Sequence, residues 1–101
     1  RAMKVVAVTS CATGIAHTYM AAEAIKRVCK QKKYMCKVET QGALGVENKL
    51  HTEEISEADL IVIACDVQLR NEERFEAWKD KIIKVGPHDV VRNPEIIFQK
   101  G

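Results

Sequence analysis

Two short apolar runs constrain the possible folds of this chain most. Residues 60–65 are LIVIAC and residues 4–9 are KVVAVT. Apolar runs of this length, rich in β-branched residues, are typical of strands that are buried on both faces, as in parallel sheets. Between the two runs, apolar residues recur at helical spacing from Ile15 to about Gln31. A strand, a helix and a later strand in this order predict a parallel sheet with crossover helices.

Two more strands and three short helical segments complete the prediction. We expect the strands at 35–40 (MCKVET) and 81–85 (KIIKV). We expect helical turns at 52–58, capped by Thr52, at 72–77, and at 94–100 after Asn93 as N-cap. The predicted fold class is therefore α/β, a three-layer sandwich with a four-stranded parallel sheet in the order 2-1-3-4 and helices on both faces. Residues 3–101 form one predicted domain, and Arg1 and Ala2 are left out of it.

Composition excludes several classes of function. The chain has 101 residues, of which 47% are hydrophobic and 30% charged, and its formal net charge is only +2. That bias is too small to predict binding to nucleic acid. Direct membrane insertion is not predicted either, because no apolar run approaches the roughly 20 residues of a membrane span. No secretion signal is evident, and the cysteines at 11, 29, 36 and 65 match no zinc spacing. We expect a cytoplasmic protein with reduced thiols, no cofactor and no metal site.

The loop after the first predicted strand carries the chemistry. Cys11 follows that strand, and ATGIAHT leads from it into the first helix. Backbone N–H groups of a tight turn, together with a helix N-terminus, favour a thiolate and can also bind phosphate oxygens. Cys11 is therefore the predicted nucleophile, and the alternative is a buried, inert cysteine. The predicted phosphate-binding residues are Ala12, Thr13, Gly14, Ile15, Ala16, His17 and Thr18.

The spacing in this loop also bears on hydrolysis. Cysteine-dependent phosphatases of the low-molecular-weight type have Cys, five residues, Arg, and then Ser or Thr, whereas here five residues separate Cys11 from His17 and Thr18. Arginine clamps phosphate oxygens bidentately, and histidine does so less well. The loop thus favours holding a phosphoryl group over hydrolysing it. A phosphatase and a noncatalytic regulatory module remain the alternatives.

The run VAVTSCATGIAHTYMAAEAI resembles the signature of the IIB components of the bacterial sugar phosphotransferase system, fructose family. Further similar motifs follow in order at 37–50, 58–66, 73–75 and 92–95. The resemblance implies a fold like that of low-molecular-weight tyrosine phosphatase. It also implies a cytoplasmic phosphocarrier on the inner side of the membrane. In that role Cys11 accepts a phosphoryl group from a IIA phosphohistidine and passes it to a sugar, fructose by family default, carried by a IIC membrane domain. Many members have proline where this chain has Ala12, which keeps a backbone N–H.

Other residues are candidates for the border of this site. Gln41 and Gly42 follow the second strand and either border the site or only form a turn. Asp66 ends the third strand, and Arg74 is either a docking residue or a solvated surface arginine. We predict that His51 and His88 belong to no functional cluster. Cys29 is a predicted core thiol, and Cys36 and Cys65 are predicted core or strand-end thiols. Ile15, Tyr19 and Met20 form either an exposed apolar rim for IIA or part of the packing.

Overall fold

A computed structural model of the protein describes residues 3–12, 15–42 and 45–98. Its strands are β1 (Lys4–Ser10), β2 (Met35–Gly42), β3 (Gly45–Glu47), β4 (Leu60–Cys65) and β5 (Ile82–Val85). Its helices are α1 (Ile15–Gln31), α2 (Thr52–Glu57) and α3 (Pro87–Arg92), with 3-10 segments at Glu72–Lys81 and Pro94–Phe98. The fold is α/β, as predicted.

The sheet has five strands in the order β3-β2-β1-β4-β5. β2, β1, β4 and β5 are parallel, and they reproduce the predicted order of four strands. The predicted number of strands was wrong, because β3 pairs antiparallel with β2. Gly45 opens β3 with a φ of +99°, a left-handed conformation that glycine adopts readily. Gly42 and Gly45 pair with each other and therefore flank the connection of a short hairpin at the edge of the sheet.

Helices cover both faces of the sheet. α1 buries Ala21, Ile25, Val28 and Cys29 against β1 and β2 and exposes its charged side. This division follows from apolar residues at helical spacing, which place one continuous stripe against the sheet. On the opposite face, Ile55 of α2 and Phe75 of the 72–81 segment pack against β1 and β4. The predicted three-layer arrangement is confirmed.

Several helix predictions need correction. α2 begins after His51, whose N–H donates to Glu54 Oε1 at 2.7 Å, so Thr52 is its first residue and not its cap. The predicted turn at 72–77 is a longer 3-10 segment. Pro87 starts α3, a helix that was not among the predicted segments, because its fixed φ suits the first turn of a helix. The helical turns predicted at 94–100 are a 3-10 segment, Pro94–Phe98, which follows α3. The predicted end at residue 100 lies outside the described residues.

Candidate functional site

The candidate site lies where three parallel strands end. Cys11 follows β1, Asp66 follows β4, and His88 is the second residue of α3, which follows β5. Parallel strands bring their carboxyl ends to one edge of the sheet, which is where open α/β sheets bind ligands. Residues separated by 55 and 77 positions in sequence meet Cys11 for this reason.

Cys11 is half-buried and contacts both neighbours. Its Sγ lies 3.5 Å from Asp66 Oδ2 and 3.7 Å from His88 Nε2. The N–H of Ala12 donates to Asp66 Oδ1 at 2.8 Å. The Asp66 carboxylate therefore accepts hydrogen bonds from the thiol and from the first backbone N–H of the loop. Asp66 thus lies at the site, beside the candidate nucleophile.

Two histidines meet next to the thiol. The ring centroids of His17 and His88 are 4.3 Å apart, and the rings are inclined by 55°. Cys11 Sγ and one nitrogen of each ring all lie within 4.8 Å of one another. The prediction that His88 belongs to no cluster is wrong, because α3 folds back onto α1 and brings the ring to the loop. A sequence signal existed, since Gly86-Pro87-His88 follows a predicted parallel strand at its carboxyl end.

The predicted phosphate loop is described in part. Thr13, Gly14 and the side chain of Ile15 lie outside the described residues, and Ala16 is exposed. Thr18 is fully buried, and its hydroxyl has no hydrogen-bond partner among the residues that the structure describes. A buried hydroxyl without a partner is costly, which makes it a candidate donor to a ligand.

The end of β2 lies beside the start of α1. A Cβ atom added to Gly42 would lie 3.8 Å from Thr18 Cγ2, and the Ser10 hydroxyl donates to the Gln41 carbonyl at 2.8 Å. These contacts place Gln41 and Gly42 next to the loop, and a role for them in a ligand site stays a prediction.

A buried ion pair supports the site from behind. Arg74 donates to both carboxylate oxygens of Glu39, at 2.8 Å and 2.6 Å. The Glu39 side chain is 0% exposed and that of Arg74 only 15% exposed. Gln41 Nε2 also donates to Glu39, and the Arg70 N–H donates to Gln41 Oε1, which holds the loop after β4 against β2.

Burial alone would raise the pKa of Glu39, but hydrogen bonds from Arg74, Gln41 and the Leu50 N–H outweigh this effect, and the net shift of the pKa is downward. The guanidinium of Arg74, a predicted docking group, is thus engaged inside the fold.

Of the other cysteines, Cys29 is buried, and Cys36 and Cys65 are half-buried. Cys29 is fully buried, and its pKa is raised. The main cause is a hydrogen bond with Cys36, and burial is the second cause. Burial, reinforced by the negative charges of Asp66 and Glu39, raises the pKa of Cys65 to about 12. Both groups therefore remain thiols near neutral pH, when they are poor nucleophiles.

An apolar rim around Cys11 stays a prediction, and the side chain of Ile15 lies outside the described residues. Met20 is exposed, and Tyr19 donates a hydrogen bond to Glu47 of β3. Within the described parts of the chain, none of the helices is both long enough and apolar enough to cross a membrane.

The fold and the site define a class of protein. It is an α/β domain with a half-exposed cysteine in the loop between its first strand and first helix, next to a carboxylate and two imidazoles. A family model described as "PTS system, Lactose/Cellobiose specific IIB subunit" matches residues 6–100. The PTS system fructose-like EIIB component 2 of Escherichia coli (strain K12) is 42% identical over 97 residues, which cover 96% of this chain and 90% of that protein.

Two further proteins extend the comparison. The PTS system fructose-specific EIIABC component of Bacillus subtilis (strain 168) is 40% identical over 98 residues, which cover 97% of this chain but 15% of that longer protein. A crystal structure of a domain of the fructose-specific IIABC component of Borrelia burgdorferi superposes with a TM-score of 0.86 at 40% identity, covering 98% of this chain and 92% of that one. The chain belongs to the IIB family of the sugar phosphotransferase system, and its relatives are fructose-like components. The resemblance of the motifs is thereby confirmed, and IIB components of this system are phosphotransferases.

Proposed function

We propose that Cys11 carries the phosphoryl group of this IIB component. It accepts the group from a phosphohistidine of a IIA domain and passes it to a fructose-type sugar bound by a IIC membrane domain, at the cytoplasmic face. The observation that carries the proposal is the position of Cys11, half-exposed at the carboxyl end of β1 and directly before α1. The names of relatives that combine B with C, or A with B and C, support these partners.

The transfer consists of two in-line substitutions at phosphorus. The Cys11 thiolate attacks the phosphohistidine, so that an S–P bond forms, the N–P bond breaks and the imidazole leaves. In the second step a sugar hydroxyl attacks the phosphorus and the S–P bond breaks. The hydroxyl proton passes to a base or water at the acceptor, and the thiolate is regenerated. Positioning and charge stabilisation supply most of the catalysis in such transfers.

Three groups of the described loop region support a bound phosphoryl group. The N–H of Ala12 is adjacent to Cys11, the Thr18 hydroxyl is buried without a partner among the described residues, and His17 presents a ring nitrogen near the sulfur. Histidine here, in place of the arginine of a hydrolase, favours retention of the group until an acceptor arrives.

The test supplies phosphoenolpyruvate, the general phosphotransferase proteins and a cognate IIA. We expect the intact mass to rise by one phosphate, and Cys11→Ser to abolish the stable adduct. Cys36→Ser is the matched control, because that thiol lies at the opposite end of the sheet, paired with Val5, and should leave phosphorylation unchanged. A wild-type protein that stays unmodified beside a competent donor would refute the carrier function.

Two further readouts separate the alternatives. Steady turnover of an aryl phosphate would indicate a phosphatase. Vesicles that contain the IIC domain, supplied with labelled fructose or mannose, identify the sugar by the phosphorylated product, and we expect fructose.

A further inference from the structure

The cluster of Cys11, His17 and His88 has a chemistry beyond phosphoryl transfer. We propose that these three residues form a binding site for Zn²⁺, and that the ion competes with the phosphoryl group for the Cys11 sulfur. The site itself rests on the geometry of the cluster, and only the competition rests on the proposed function. One thiolate and two imidazoles form a ligand set that zinc prefers, with a fourth position open to water.

The distances suit a tetrahedral ion. With Zn–S at about 2.3 Å and Zn–N at about 2.0–2.1 Å, a tetrahedral zinc places its sulfur and nitrogen ligands about 3.6 Å apart. Cys11 Sγ and His88 Nε2 are 3.7 Å apart, and all three ligand atoms lie within 4.8 Å of one another. Closing the set on an ion therefore requires the separations between ligand atoms to shorten by about 1.2 Å at most for a sulfur–nitrogen pair.

The surrounding structure holds the ligands and leaves a path for the ion. His88 is exposed, while Cys11 and His17 are half-buried. α3 is anchored beneath His88 by the buried side chains of Pro87 and Val90, so its backbone stays in place when the ring turns. Asp66 Oδ2 lies 3.5 Å from Cys11 Sγ, and it adds negative charge that favours a cation.

The binding step balances simply. The Cys11 thiol releases its proton to the solvent, the thiolate and two neutral imidazoles donate electron pairs to Zn²⁺, and no redox change occurs. Zinc on the sulfur withdraws electron density from it and, together with the two imidazole ligands, obstructs the approach of a phosphohistidine, and a phosphorylated sulfur is no longer a thiolate ligand. Zinc and the phosphoryl group therefore compete for the Cys11 sulfur.

The first experiment detects the site without any phosphoryl transfer. Co²⁺ is titrated into unphosphorylated protein with a phosphine reductant, and we expect visible bands of a tetrahedral ion with a sulfur-to-cobalt charge-transfer band, all displaced by Zn²⁺. Cys11→Ser should remove the charge-transfer band. His88→Ala and His17→Ala should each weaken binding at least about tenfold, since the loss of an outer-shell partner alone has that effect. His51→Ala, which removes an exposed histidine outside the cluster, is the matched control and should bind normally.

Unchanged binding in His88→Ala, or a charge-transfer band that survives in Cys11→Ser, would overturn the site. Mg²⁺ serves as a second control, because hard cations prefer oxygen ligands and should not displace Co²⁺.

The second experiment measures competition in a single transfer from purified phosphorylated IIA. We expect micromolar Zn²⁺ to slow phosphorylation of the wild type, a chelator to restore it, and the ratio of rates with and without Zn²⁺ to approach one in His88→Ala. Cobalt bands without phosphate acceptance would leave the metal site standing and refute the carrier function. Phosphate acceptance without cobalt bands would refute the metal site and leave the carrier function standing.

Discussion

The Asp66 carboxylate occupies the space beside Cys11 and the backbone donor that the proposed phosphoryl group would need. Asp66 accepts the Ala12 N–H at 2.8 Å and lies 3.5 Å from Cys11 Sγ, an arrangement that suits a protonated thiol. Two negative charges about 4 Å apart repel by about 4 kcal/mol at an effective dielectric constant of about 20, and by less where water enters. If Cys11 carries the phosphoryl group as proposed, we expect the carboxylate to turn away from it, which makes the Ala12 N–H available to a phosphoryl oxygen.

Replacement of this charge tests the competition. Asp66→Asn keeps the size of the side chain but removes the repulsion, so the equilibrium between phosphorylated IIA and this chain should move toward phosphocysteine. We expect a shift of several-fold to about tenfold, which corresponds to roughly 1 kcal/mol. The ratio of phosphorylated to unphosphorylated chains, measured by intact mass at equilibrium, provides the readout.

The control for this shift is Glu76→Gln, which removes an exposed acid of the 72–81 segment that forms a surface ion pair with Lys79. That variant should leave the equilibrium where it is. An equilibrium that Asp66→Asn leaves unchanged, or moves toward IIA, would show that the Asp66 charge does not oppose the phosphoryl group.

Between elements, the Glu39–Arg74 pair joins β2 to the 72–81 segment. Arg74 donates to both oxygens of Glu39 and to the Leu50 carbonyl, and Glu39 also accepts the Leu50 N–H. Arg74→Ala leaves a carboxylate buried without its cation, a change that costs about 3–5 kcal/mol. We expect the free energy of unfolding, measured by urea titration, to fall by that amount.

An exposed ion pair gives the matching control. Lys84 and Glu72 lie 3.9 Å apart with side chains 70% and 48% exposed, so Lys84→Ala should change the free energy of unfolding by less than about 0.5 kcal/mol. Equal losses in the two variants would mean that burial of the Glu39 pair adds nothing to its contribution.

The elements also show what sequence alone can predict. The parallel strands and α1 were found because their apolar patterns are long and unambiguous. β3 has only three residues and no apolar face of its own, and it exists because Gly45 turns the chain back onto β2. α3 has only six residues, too few for a helical pattern of apolar residues to stand out in the sequence.

The site divides in the same way. Cys11 and the residues after it are contiguous, so local backbone chemistry predicts them. His88 reaches Cys11 through the packing of α3 on α1. A motif of fixed spacing cannot predict this contact, because the two residues are 77 positions apart in sequence. Its position after a parallel strand was the available signal. Arg74 was predicted at a surface, because the sequence does not show that Glu39, a residue of β2, is buried opposite it.

At the scale of the whole molecule, the sheet separates two apolar clusters. The site lies at the edge of the sheet formed by the carboxyl ends of its parallel strands. α1 and α3 pack on one face, and α2 and the 72–81 segment on the other. Cys11, Asp66 and His88 follow three different strands, so their geometry depends on the order β1-β4-β5 and not on any one element. Loss of global stability therefore removes the site as a unit.

That global stability depends on pH through Glu39. The pKa of Glu39 is lower in the folded protein than the ordinary value of about 4.3, so its contribution is fully present above that value and is lost as the pH falls through the folded pKa. Glu39→Gln cannot make this contribution at any pH. We expect urea titrations to give a large difference in unfolding free energy between wild type and Glu39→Gln at pH 7, and a difference that shrinks below about pH 4, by at most about 1.4 kcal/mol per pH unit. Glu76→Gln, an exposed acid, should differ from wild type by less than about 0.5 kcal/mol at both pH values. A difference between wild type and Glu39→Gln that stays constant from pH 7 to pH 3 would mean that folding does not lower the pKa of Glu39.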